Sequence, residues 1–144
     1  MLVCGLLSAA LSLPSIERDE AILGVNIGGM YMKQGRFEEA LAEFLEVRRA
    51  TPSAQRIEIN IANAYHFMGR EREALESLER AIRYLYEEGR RRGGVSAEEL
   101  SYCHELSGDI LRDQDATRQA REHYTAALRL APGNARLQRK MAEL

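Results

Sequence analysis

The chain has 144 residues, 45% hydrophobic and 29% charged. That is the composition of a single globular domain, and it excludes global disorder and a polytopic membrane protein. Twenty Lys and Arg against twenty-two Asp and Glu leave a net charge of −2, which gives no overall bias toward nucleic acid or anionic lipid. Two cysteines, Cys4 and Cys103, are too few for a disulfide framework and read as small buried hydrophobes.

Met1 to Leu13 is nearly all apolar and carries no Lys or Arg. It is shorter than the ~20 residues of a transmembrane helix, and it lacks the positive start of a secretory signal. From there the chain repeats itself. Shifted by thirty-four, Asn26 falls on Asn60, Tyr31 on Tyr65, Gly35 on Gly69, Ala40 on Ala74 and Leu41 on Leu75. A further shift of forty-six, one repeat with twelve residues inserted, puts Ala62 on Gly108, Ala74 on Ala120, Leu78 on Tyr124 and Ala81 on Ala127. The units are 21–54, 55–88 and 101–134, with an insertion at 89–100.

Each unit reads as two helices. In the first, Ile27, Met30 and Tyr31 end one helix and Gly35-Arg36 turns the chain. Phe37, Ala40, Leu41, Phe44, Leu45 and Val47 then recur at amphipathic spacing up to Thr51-Pro52-Ser53. The second unit has Ile57, Ile61 and Tyr65, a turn at Gly69, then Ala74, Leu78 and Ala81. The third has Leu106, Ile110 and Leu111, a polar turn at Asp113-Gln114-Asp115, then Ala120, Tyr124 and Ala127, closed by Pro132-Gly133. In the insertion, Gly89 to Gly94 is expected to break the fourth helix. Its arginines lie between glutamates and read as a solvated loop. Ser96 with Glu99 has the spacing of a capping box, which starts the next helix near Ala97. Residues 135–144 read as a capping helix, with Asn134 as N-cap and Leu137, Met141 and Leu144 on one stripe.

The pattern resembles the tetratricopeptide repeat (TPR) family. Small residues stand at Gly28, Ala62 and Gly108, aromatics at Tyr31 and Tyr65, alanines at Ala40, Ala74 and Ala120, and large apolar residues at Phe44, Leu78 and Tyr124. Pro52 and Pro132 are the closing prolines. Gly24 and Glu58 depart from it where the family has a bulky apolar residue, and Leu111 replaces the aromatic. The resemblance implies an all-α fold, a right-handed α-α superhelix forming a single domain over 1–144. Residues 1–14 then have two readings. Shifted by thirty-eight, Leu2 falls on Ala40, Leu6 on Phe44, Ala9 on Val47 and Pro14 on Pro52, as in the second helix of a truncated preceding repeat packed on helix 16–34. The alternative is a targeting segment.

No catalytic motif is present: there is no G-x-S-x-G, phosphate-binding glycine loop or H-E-x-x-H. His66, His104 and His123 show no ligand spacing, and the neighbours Cys103 and His104 point in different directions on a helix. Gly24 and Gly28 read as a close helix–helix approach. Neither enzyme activity, a cofactor nor a metal is expected.

In the TPR family the first helix of each repeat lines a concave groove. Carried over residue by residue, the resemblance places Ile22, Val25, Asn26, Gly29, Met32 and Lys33 there from the first unit. From the second it places Arg56, Ile59, Asn60, Asn63, His66 and Phe67, and from the third Tyr102, Glu105, Leu106, Asp109, Arg112 and Asp113. The polar candidates for peptide binding are Asn26, Lys33, Arg56, Asn60, Asn63, His66, Tyr102, Glu105, Asp109 and Arg112. Side-chain amides carry both donors and an acceptor, so Asn26, Asn60 and Asn63 suit peptide backbone of any sequence. The family's clamp for a C-terminal carboxylate needs Lys where Val25 stands and Asn where Gly29 stands. The gradation from apolar to acidic residues suits a partner with an apolar anchor and a basic end.

These features imply a non-catalytic protein–protein interaction module, an adaptor or scaffold holding a peptide segment or helix. The alternative is a self-assembling or membrane-associated scaffold using the apolar N-terminal helix. The expected partner is a protein or peptide, with homo-oligomers as the second case, and neither nucleic acid nor a small-molecule substrate. Two distant cysteines fit the cytoplasm. A targeting signal at the N-terminus would make the protein periplasmic or membrane-associated.

Overall fold

The computed structural model describes residues 14–52 and 56–144. These form seven α-helices: α1 (Pro14–Lys33), α2 (Phe37–Ala50), α3 (Ile57–Phe67), α4 (Glu71–Arg92), α5 (Ala97–Asp113), α6 (Thr117–Leu130) and α7 (Ala135–Ala142). No strand occurs among the described residues. α1 pairs with α2, α3 with α4 and α5 with α6. The pairs stack through α2 on α3 and α4 on α5, and α7 lies on α6. The half-repeat and targeting readings of the N-terminus fall on residues outside those described, apart from Pro14.

The three hairpin turns share one geometry. Gly35 and Gly69 take φ of 73° and 71°, the left-handed conformation that glycine enters without a Cβ penalty. The next amide then reaches a carbonyl five residues back: Arg36 N to Tyr31 O at 3.0 Å and Arg70 N to Tyr65 O at 2.9 Å. In the third hairpin Asp115 takes the left-handed place at φ 58°, and Ala116 N reaches Leu111 O at 2.9 Å. Arg36 covers the Tyr31 ring at 4.4 Å and Arg70 the Tyr65 ring at 4.6 Å. The third turn has Leu111 and Ala116 instead, and no such contact.

Small residues set the spacing within pairs. Gly24 lies against Val47 and Gly28 against Phe44, the close approach suggested by G-x-x-x-G. Gly108 meets Tyr124 in the same way. Three cores result. Phe44, Val47, Ile57 and Ile61 form one, Leu78, Leu85, Leu100 and Ile110 the second, and Tyr124 with Leu137 the third. Asn134 caps α7, its Oδ1 accepting from the amides of Arg136 at 3.1 Å and Leu137 at 3.2 Å.

The fourth helix ends within Gly89–Gly94 as expected, but only at Gly93, φ 77°, so Gly89 and the arginines expected in a loop belong to α4. Gly89 is buried against Val95 with no room for a side chain, so it serves a close approach. α5 does begin at Ala97 after Ser96, but the Ser96 side chain makes no capping bond. Among the described residues, no helix is long and apolar enough to cross a membrane.

Candidate functional site

The first helices of the three pairs line two concavities. One, of about 630 Å³, is bounded by Val25, Asn26, Gly29, Met30, Met32 and Lys33 of α1, Phe44 of α2, Asn60, Asn63 and Phe67 of α3, and Tyr102 of α5. The other, of about 750 Å³, is bounded by Arg56, Ile59 and Asn60, by Glu98, Glu99, Ser101, Tyr102 and Glu105 of α5 with Ala97, and by Leu130, Ala131, Asn134 and Arg136. Asn60 and Tyr102 belong to both walls, so the two spaces meet at these residues.

Their side chains differ in what they have left to offer. The Tyr102 hydroxyl donates to Asn63 Oδ1 at 2.6 Å. Burial raises the Tyr102 pKa above the ordinary value, with the Asn63 bond opposing, so the group stays a neutral donor at physiological pH. Asn63 keeps its amide donors. Among the described residues, neither Asn26 nor Asn60 makes a side-chain hydrogen bond. Phe67 is exposed and stacks on Phe37 with centroids 5.1 Å apart, presenting a fixed apolar surface beside the amides. Lys33 stands exposed at the end of α1.

Seven of the ten polar candidates line these spaces: Asn26, Lys33, Arg56, Asn60, Asn63, Tyr102 and Glu105. The other three line neither. His66 turns to Glu71, Nδ1 to Oε2 at 3.0 Å. Arg112 pairs with Asp113 at 3.0 Å. Asp109 accepts from the Tyr124 hydroxyl at 2.7 Å and from Lys140 at 2.6 Å. Glu105, nearly buried, is held through both oxygens, by Lys140 at 2.7 Å and Arg136 at 2.8 Å. The expected acidic end is therefore neutralised by α7. Arg56 is also engaged, with Glu88 and Glu99 each at 3.2 Å.

Arg136 and Met30 escaped the sequence reading. Arg136 enters only through the docking of α7, which no repeat position encodes. Two histidines distant in sequence also meet: His104 of α5 and His123 of α6 lie Nδ1 to Nδ1 at 3.1 Å. The shared hairpin, not sequence spacing, joins them. Burial pushes the His104 pKa down to about 4, helped by His123, and lowers that of His123. Both rings are neutral at physiological pH, one nitrogen donating and the other accepting. Among the described residues, no three His, Cys, Asp or Glu side chains converge as a metal site would require.

A family model described as tetratricopeptide repeat matches residues 59–84. Several solved structures share the fold. The N-terminal domain of stress-induced protein-1 (STI-1) from C. elegans superposes with a TM-score of 0.74 at 21% identity, covering 88% of this chain and 95% of that one. The first TPR of Spaghetti (RPAP3), bound to the HSP90 peptide SRMEEVD, gives 0.73 at 18% identity over 87% and 90%. The second TPR domain of human RPAP3, in complex with the HSP70 peptide SGPTIEEVD, gives 0.72 at 19% over 88% and 96%. No curated protein sequence matches the chain. The chain shares the all-α helical-repeat fold of these TPR domains, and one tetratricopeptide repeat is matched within it.

Proposed function

We propose that this protein is a non-catalytic adaptor or scaffold that holds an extended peptide segment of a partner across the α1–α3–α5 face. One observation carries the reading: two concavities meet at Asn60 and Tyr102, where the Asn60 amide has no partner among the described residues. An asparagine there can accept from and donate to a peptide bond at once, which fixes a strand without reading its sequence. Specificity then falls to the apolar wall of Val25, Met32 and Phe67, which suits an apolar anchor residue.

The similar RPAP3 domains are seen with HSP90 and HSP70 peptides. This chain carries Val25 and Gly29 at the positions of the family's carboxylate clamp, so the peptide proposed here is an internal segment and not a chain end. A basic end is not part of the proposal, because Glu105 and Asp109 already have cationic partners. The test is selection from an unbiased displayed peptide library, followed by amide chemical-shift mapping. Shifts clustered on α1, α3 and α5 support the reading. Ligands that all map to α2, α4 or α6 overturn it.

A further inference from the structure

The repeats allow each face of α1 to be compared with the same face of α3 and α5. On α3, Ile57, Ile61 and Ala64 are buried in one core with residues of α2, the second helix of the preceding pair. On α5 the equivalent residues are Cys103, Ser107 and Ile110, and all three are buried where α4 packs. On α1 the equivalent residues are Leu23, Ile27 and Met30. Leu23 and Met30 are each 59% exposed, and Ile22 beside them is 52% exposed. So the face that takes a preceding second helix at two junctions is apolar at the third, and no helix among the described residues packs on it there. Leu23 and Met30 share this face two turns apart, with Ile22 at its border, which is more than scattered surface hydrophobes.

We infer that this face of α1 is the docking surface for the chain's own residues 2–13. Their chemistry fits. Leu2, Val3, Leu6, Leu7, Leu11 and Leu13 supply apolar bulk, and no charge interrupts them. Their spacing fits as well, since Leu2, Leu6 and Ala9 match Ala40, Phe44 and Val47, which are all buried in α2. Pro14 and Leu23 are nine residues apart on α1, about 14 Å at ~1.5 Å each, which a stretch of twelve residues can cover. Leu23 lies outside both concavities, and the contact meets the peptide-binding face only at Met30. The other occupant of the same chemistry is the equivalent segment of a second copy.

The test is thiol labelling in the full chain. Cys4→Ser removes the thiol in the segment, and Cys103 is fully buried with its pKa pushed up to about 12 by that burial, so it stays silent. Leu23→Cys then reports the face, and Glu38→Cys, on the exposed side of α2, serves as reference. The expected result is labelling at position 23 slower than at position 38 by about tenfold or more, because labelling must wait for the segment to open. Adding Leu6→Asp should bring the two rates together while circular dichroism stays helical. Equal rates with the native segment overturn the inference. Protection that grows with protein concentration overturns it in favour of a second copy.

Discussion

The ring of Tyr124 lies over Gly108 so closely that a Cβ on residue 108 would stand 2.6 Å from Tyr124 Cε1. The same ring fills the core with Leu137, and its hydroxyl donates to Asp109. A methyl group at 108 therefore has to push a fully buried aromatic. We expect Gly108→Ala to destabilise the fold by about 2 kcal/mol through overpacking. Gly133→Ala meets nothing within 4 Å and should change stability by less than ~0.5 kcal/mol. Urea denaturation of both variants checks the contrast.

Asp115 holds a conformation that two glycines hold in the earlier repeats. The left-handed region costs a residue with a Cβ ~1–2 kcal/mol, partly offset because glycine is freer when unfolded. Asp115→Gly should therefore stabilise by about 0.5 kcal/mol, whereas Gly69→Ala should destabilise by about 1 kcal/mol. Thermal melts of the pair test whether the turn geometry is shared.

Lys140 bridges Glu105 and Asp109 from α7, at 2.7 and 2.6 Å. Glu105 is nearly buried, so losing Lys140 leaves a poorly solvated carboxylate on Arg136 alone. Lys140→Ala should cost about 2 kcal/mol, and the double variant with Glu105→Gln should recover part of that loss. A double-mutant cycle measures the coupling. Additive effects would mean the contact contributes nothing.

The His104–His123 contact makes the α5–α6 pair sensitive to acid. Both imidazoles are held neutral by burial when folded, with His104 lowered from 6.5 to about 4. The unfolded chain takes up protons first. Their contribution is intact above pH ~6.5 and is lost as pH falls toward ~4. Discounted for partial exposure, the loss is about 2 kcal/mol. His104→Gln should flatten the decline between these limits when stability is measured against pH. An unchanged slope would refute the assignment.

Much of this fold was legible because its repeats are spelled in residue size. Gly28 with Phe44 and Gly108 with Tyr124 mark paired small and large positions, and Gly35 and Gly69 mark the turns. The amide-bearing wall was legible for the same reason, since Asn26 and Asn60 occupy equivalent positions. What escaped depends on contacts between elements without a repeat relation. Gly89 looks like a breaker until Val95 is seen against it. Glu58 departs from the family's apolar residue, and only the packing shows it pinned between Arg48 at 3.3 Å and Arg80 at 3.1 Å. The acidic positions Glu105 and Asp109 seemed free because their partners, Arg136 and Lys140, lie some thirty residues away on a helix outside the repeats.

The most direct test of the peptide-binding role is the affinity of one library-selected peptide for the native chain and for Asn60→Ala. Two backbone hydrogen bonds lost at ~0.5–1.5 kcal/mol each correspond to a weakening of about tenfold. That loss should appear alike for a peptide with a scrambled sequence around the same apolar anchor. An affinity unchanged by Asn60→Ala, in a variant that melts like the native protein, would contradict the proposed role of the α1–α3–α5 face.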